Sequence, residues 1–355
     1  MKKANNKNRA DVRGLAEISR AVGRRPEYVQ GGGGNTSLKL GGGLMMVKAS
    51  GSLLKDATAR GRGFVAVDYL MVREFFLSCP NSAAAESRSG EVIAAATGSI
   101  GKHGGRASIE AGFHSLLGRC VVHTHSVYAN VVACSRGGGG RLEQLGSFGG
   151  SPIAWVPYAR PGFQLTRQVA AVMAQHQVNY GREPAVLLLQ NHGLIVSAAS
   201  PKRAAELHER VNRAFRKTLG VTEDFPPVRL RPSGRGVFVD KSGYLNDHLQ
   251  RRGATGRYFV EKVICPDQIV YGCGGFSYKK TGREPIFVDS SSGSVYYKGT
   301  EKEAAAAAET LTSVAYVLDQ VDKLGWQPSY LSPAKIKAVL GMDAEKYRQQ
   351  LLKKQ

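Results

Sequence analysis

A chain of 355 residues with an ordinary apolar fraction can hold one large domain or two of usual size. No window approaches the roughly 18 consecutive apolar residues of a membrane span, and the N-terminal stretch is charged where a signal peptide would be apolar, so a soluble, cytoplasmic protein is expected. Five cysteines without a CxxC pair fit a reducing compartment, and a formal net charge of +21 draws anionic partners, although the basic residues are dispersed without interleaved aromatics, which argues against specific nucleic-acid binding.

Residues 1–10 are polar and basic with no apolar period and read as a mobile tail. From Asp11, an N-cap candidate, Val12, Leu15, Ile18 and Val22 recur at helical spacing. A glycine run (31–34), the polar Asn35-Thr36-Ser37 and a strand over 44–47 follow. Residues 79–107 are rich in Ser, Ala and Gly and read as a long mobile loop with a short helical stretch near 91–96. Residues 108–117 read as helix, 120–125 as buried strand and 126–135 as helix. A strand (153–156), a helix (164–176), an apolar strand (185–189) and a long helix (201–219) complete an alternating α/β layered domain over 11–225. The Pro- and Arg-rich stretch 225–235 marks a boundary, and residues 236–355 read as a C-terminal α+β extension with a hairpin (286–297), an alanine-rich helix (301–324) and two short terminal helices.

The strongest chemical signal is Val121-Val122-His123-Thr124-His125. Side chains two apart on a strand share a face, so both imidazoles can converge on one point. A third is available in His192, which follows the buried strand 185–189 and precedes Gly193, where the backbone can turn sharply. Three imidazoles with an open position suit a catalytic Zn²⁺, or another divalent metal. Glu110 sits just before this strand on a segment short enough to return it to the metal, where it serves as a fourth ligand or as a general base. His114, beside Phe113, reads as packing. Gly34, Asn35 and Thr36 after the glycine run, with Ser50 and Gly51 after the second strand, offer amides and hydroxyls suited to a phosphate. Neither loop is a Walker A or dinucleotide-binding pattern.

In order, GGGGNTS at 31–37, KASG at 48–51, SIEAGFH at 108–114, HTH at 123–125 and NHG at 191–193 resemble the class II aldolase/adducin family over roughly residues 11–220. Cys265-Pro266-Asp267-Gln268 and the segment 344–348 are similar to a branch with a C-terminal extension, near the aldolase portion of rhamnulose-phosphate aldolase/alcohol dehydrogenase fusions. The resemblance implies a three-layer α/β/α sandwich around a mainly antiparallel sheet, and a homo-oligomer, usually a tetramer. It also implies Zn²⁺ on His123, His125 and His192, Glu110 as acid/base, and a phosphate cradle of Asn35, Ser50, Gly51 and Ser108. Ile109 departs from the fuculose-phosphate aldolase pattern, which has a second serine there. The implied activity is retro-aldol cleavage of a ketose 1-phosphate to dihydroxyacetone phosphate and an aldehyde, through a metal-stabilised enediolate. Pentulose-phosphate 4-epimerisation and thioribulose-phosphate dehydration are alternatives on the same site, and a non-catalytic adducin-like scaffold is the rival from another class. Every proposed ligand precedes the boundary, so a chain ending near Thr222 is expected to stay soluble enough to bind metal but to lose oligomeric homogeneity and most turnover.

Overall fold

The computed structural model describes residues 2–98, 105–272, 275–279, 284–343 and 350. Helix α1 (Lys2–Gly23) buries Leu15, Ile18 and Val22. It begins well before Asp11, so the segment expected to be a mobile tail is helical from Lys2. No glycine or proline stands between Lys2 and Val12, and Ala4 and Ala10 are strong helix formers; the anchored turns therefore propagate outward through polar residues.

Strands β1 (Asn35–Lys39), β2 (Leu44–Lys48) and β3 (Phe64–Asp68) form an antiparallel meander. Asp68 caps helix α2 (Tyr69–Ser78) by accepting from the amides of Leu70 and Met71. Helix α3 (Ala83–Gly98) occupies most of the stretch expected to be a loop. Its alanines carry high helix propensity, and its Ser and Gly positions mask the sparse apolar period of Ala85, Ile93 and Ala96, the residues it buries. Residues 99–104 of that expectation lie outside the described residues, as do Cys273 and the segment 344–348.

Next come α4 (Ala111–Leu116), β4 (Cys120–Thr124), α5 (Val127–Ala133), the small hairpin β5 (Ser147–Phe148) and β6 (Ser151–Pro152), β7 (Ala154–Val156), α6 (Phe163–Tyr180), β8 (Val186–Leu189), β9 (Gly193–Ala198) and α7 (Pro201–Thr218). The main sheet runs β3-β2-β1-β4-β9-β8-β7, antiparallel throughout except for the β7–β8 pair. Alternation along the strands splits its apolar side chains between two layers. Leu38, Cys120, Val122, Leu188 and Val196 meet α1, α5 and α7, whereas Val47, Val67, Val121, Leu187 and Ile195 meet α2, α3, α4 and α6. This is the expected α/β/α sandwich around a mainly antiparallel sheet.

The C-terminal region adds a second sheet, built from β10 (Leu230–Pro232), β11 (Val237–Asp240), β12 (Phe276–Ser277), β13 (Ile286–Asp289) and β14 (Ser294–Lys298) in the order β10-β11-β14-β13-β12. Helices α8 (Tyr244–Arg251), α9 (Tyr258–Glu261), α10 (Pro266–Tyr271), α11 (Glu301–Lys323) and α12 (Pro333–Leu340) accompany it. A capping box of Thr300 and Glu303 starts α11. Leu311, Val314, Ala315 and Leu318 of α11 join the same buried cluster as α1, α5 and α7, so the extension and the sandwich share one core. Among the described residues no helix is long and apolar enough to cross a membrane.

Candidate metal centre

Strand β4 lies at the middle of the main sheet, with Asn35 of β1 and Ile195 of β9 paired on either side of His123. His123 and His125 project from one face of the chain, as the spacing requires. His192 arrives from the β8–β9 turn. That turn contains Asn191, the one non-glycine residue with a left-handed φ (55°) among the described residues. Gly193 follows because a Cβ there would collide with the Thr124 carbonyl oxygen and press on His125 Cδ2 at 3.1 Å. Asn130 of α5 ties both ligand-bearing segments together, reaching toward the His125 and His192 carbonyls at 3.4 Å each.

All three imidazoles are buried, and a ligand nitrogen from each lies within 4.8 Å of the others. His123 Nδ1 faces the Leu194 carbonyl at 3.0 Å, and His125 Nδ1 faces Asp267 Oδ2 at 2.7 Å. Both partners can only accept, so each Nδ1 carries the proton and donates. In the neutral rings both Nε2 atoms are then unprotonated, and they stand 3.1 Å apart. Two lone pairs facing each other at that distance are mutually repulsive in a dry site, and a cation between the rings relieves the repulsion. Burial, and then the neighbouring His125 and His192, hold the pKa of His123 well below its usual value, which keeps the ring in the neutral form that a metal requires. The donor set therefore fits a divalent ion.

Glu110 completes the cluster. It is buried at the start of α4, with Oε1 3.3 Å from His192 Nε2 and Oε2 3.8 Å from His123 Nε2. Asn35 donates to Oε2 through Nδ2. Gly34, Asn35, Ser50, Gly51, Ser108 and Glu110 line one pocket with His125 and His192, so the structure brings these expected residues together. Thr36 departs from its expected place in the phosphate cradle. Because Asn35 faces the site, its neighbour must face the opposite layer, where the Thr36 hydroxyl pairs with Ser19 of α1 at 2.7 Å. His114 packs as expected, stacked on Phe113, with Nδ1 2.7 Å from Ser37 Oγ; burial, reinforced by Lys39, lowers its pKa to about 3.

Some lining residues are not evident from the sequence. Lys48, buried at the end of β2, donates from Nζ to the Gly32 carbonyl at 2.6 Å and lines the pocket beside Ser50. A lysine ending an otherwise apolar strand is the available signal. Pro266 and Asp267 enter from α10 of the C-terminal region. So does support for the His192 turn: Asn191 Nδ2 donates to the Ile264 carbonyl at 2.9 Å and the Ser329 carbonyl at 2.6 Å.

The family model for the class II aldolase and adducin N-terminal domain matches residues 13–219, more than half of the chain, and the protein belongs to that family. The His123, His125 and His192 trio could hold a metal ion. Among solved structures, the chain is similar to the N-terminal class II aldolase domain of a conserved protein from Thermoplasma acidophilum, with 22% identity over 58% of this chain and 92% of that one (TM-score 0.48). It is also similar to YgbL from Klebsiella pneumoniae, with 22% identity over 60% and 91% (TM-score 0.42). L-fuculose-1-phosphate aldolase from Thermus thermophilus shares 16% identity over 59% and 95% (TM-score 0.39). No curated protein matches the sequence.

Proposed function

We propose that the protein is a zinc-dependent aldehyde-lyase that cleaves a ketose 1-phosphate to dihydroxyacetone phosphate and an aldehyde. The observation that carries this reading is the position of the buried Glu110 carboxylate, 3.3 Å from His192 Nε2 and in the same pocket as the Ser50, Gly51 and Ser108 cradle. A proton-transfer group, a cation site and an anion cradle thereby fall within the span of one small substrate.

A divalent cation held by ring nitrogens of His123, His125 and His192 supplies positive charge against the oxyanion that develops on the ketose as its C3–C4 bond breaks. The chain's own groups perform the rest. Ser50, Gly51 and Ser108 receive the phosphate, and the Lys48 ammonium adds charge of the right sign. Asn35 fixes one oxygen of Glu110, so that the carboxylate takes up the proton the C4 hydroxyl releases as the C3–C4 bond breaks and the aldehyde forms, and then returns that proton to C3 of the triose half. Burial of Glu110 and the three imidazoles keeps bulk water from competing for that proton. A wider cleft of about 740 Å³ shares Gly32 and Gly51 with the site and gives room for the rest of the sugar. The full set of imidazoles with its glutamate argues against a scaffold role, which has no use for converging ligands.

The test is a screen of ketose 1-phosphates for aldehyde release, with and without a chelator. Chelator-sensitive release supports the reading. Turnover without release of free aldehyde, seen as epimer or dehydrated product, would replace it with one of the related reactions.

A further inference from the structure

The carboxylate that orients His125 comes from outside the family-matching residues. Asp267 lies 142 positions beyond His125 in sequence, on the first turn of α10, yet its Oδ2 accepts from His125 Nδ1 at 2.7 Å. Both residues are buried, with 5% of Asp267 and 8% of His125 exposed. An imidazole that donates to a carboxylate through one nitrogen has its tautomer and ring plane fixed, and the opposite nitrogen becomes a stronger donor to a cation. That opposite nitrogen, Nε2, is the one that faces His123.

The glycine run explains how the carboxylate gets in. A Cβ on Gly33 would stand 2.5 Å from Asp267 Oδ2 and 2.8 Å from His125 Nδ1, so a side chain there would wedge the pair apart. Gly33 is not among the residues with positive φ, so its backbone does not itself demand glycine. What demands it is the space the pair occupies. Next to it, the Gly31 amide donates to Glu309 of α11 at 2.7 Å, so the same loop is also fastened to the extension by its backbone.

We propose that Asp267 is a positioning residue of the metal centre, that the absence of a side chain at Gly33 admits it, and that the C-terminal region thereby sets the affinity of the His123, His125 and His192 site. The proposal rests on the metal-dependent reading of that site but not on which sugar phosphate is cleaved.

The experiment is a metal titration of the full-length protein against a chromophoric chelator, with Zn²⁺ for affinity and Co²⁺ for the visible ligand-field spectrum. Thermal unfolding of each apo variant is run alongside. Asp267→Ala is expected to weaken Zn²⁺ by about 10–100-fold and to alter the Co²⁺ spectrum, with Asp267→Asn between it and wild type. Gly33→Ala, which leaves Asp267 in place and perturbs the pair from the other side, is expected to weaken the metal as well. Apo-protein melting should stay close to wild type for Asp267→Asn, a pattern that a merely structural role would not produce. Wild-type affinity and spectrum in Asp267→Asn and Gly33→Ala would overturn the proposal even if Asp267→Ala failed to fold. Failure of the wild type to bind any divalent metal would overturn it together with the lyase reading. Normal metal loss in the variants with no ketose 1-phosphate cleaved would sink the lyase reading alone.

Discussion

Asn191 holds the His192 turn in a conformation most residues avoid, and its replacement by alanine has a cost that can be worked out. Its side chain donates to the Ile264 and Ser329 carbonyls and accepts from the Ser329 hydroxyl at 3.2 Å. At about 1 kcal/mol net for each of these bonds, their loss in a buried site costs about 3 kcal/mol. Alanine at a φ of 55° adds about 1 kcal/mol of left-handed strain, for a total near 4 kcal/mol. Asn191→Gly removes the bonds but not the freedom to adopt that φ, so it should recover about 1 kcal/mol relative to Asn191→Ala. Urea unfolding followed through Trp155 and Trp326, one in each portion of the chain, measures both. An alanine variant within about 0.5 kcal/mol of wild type would refute the reasoning, and so would a glycine variant no better than alanine.

Glu110→Gln should keep the metal and lose about 10²–10⁴-fold in turnover, as expected for a removed acid/base; loss of the ion on metal analysis would instead make Glu110 a ligand. His123→Ala and His192→Ala should abolish stoichiometric metal while circular dichroism shows the fold retained. Ser50→Asp should raise KM sharply and remove competition by inorganic phosphate, because it sets like charge against the phosphate; unchanged inhibition would move the cradle elsewhere. A chain ending at Thr222 should bind metal weakly and sediment as aggregate, because it lacks Asp267, the anchor of Asn191 and the α11 face of the shared core; a monodisperse fragment with full affinity would contradict the packing described.

The ligand trio is legible because a strand imposes a two-residue period on its side chains and NHG follows an apolar strand directly. Both are local patterns. Thr36 misleads for the same local reason taken one step too far: three polar residues in a row look like a loop, but pairing with β4 begins at Asn35 and sends alternate side chains to opposite layers. Helix α3 is hidden because alanine carries propensity without marking a buried face. Residues 1–10 mislead because helix needs no apolar period once a neighbouring turn is anchored. Asp267 is out of reach for a different reason. Cys265-Pro266-Asp267-Gln268 stands out as a motif, but nothing in the chain near residue 267 says that α10 brings its carboxylate back to His125.

Packing of α11 across α5 has a consequence for how the protein comes into being. Chains are made from the N-terminus, and early segments begin to fold before late ones exist. The sandwich can be laid down once α7 has emerged, but Leu311, Val314 and Leu318, which cover its flank, are made last among the elements that build that cluster. Until then the nascent sandwich presents an uncovered apolar wall, and the interval between α7 and α11 is the period in which the growing chain most needs a chaperone's shelter.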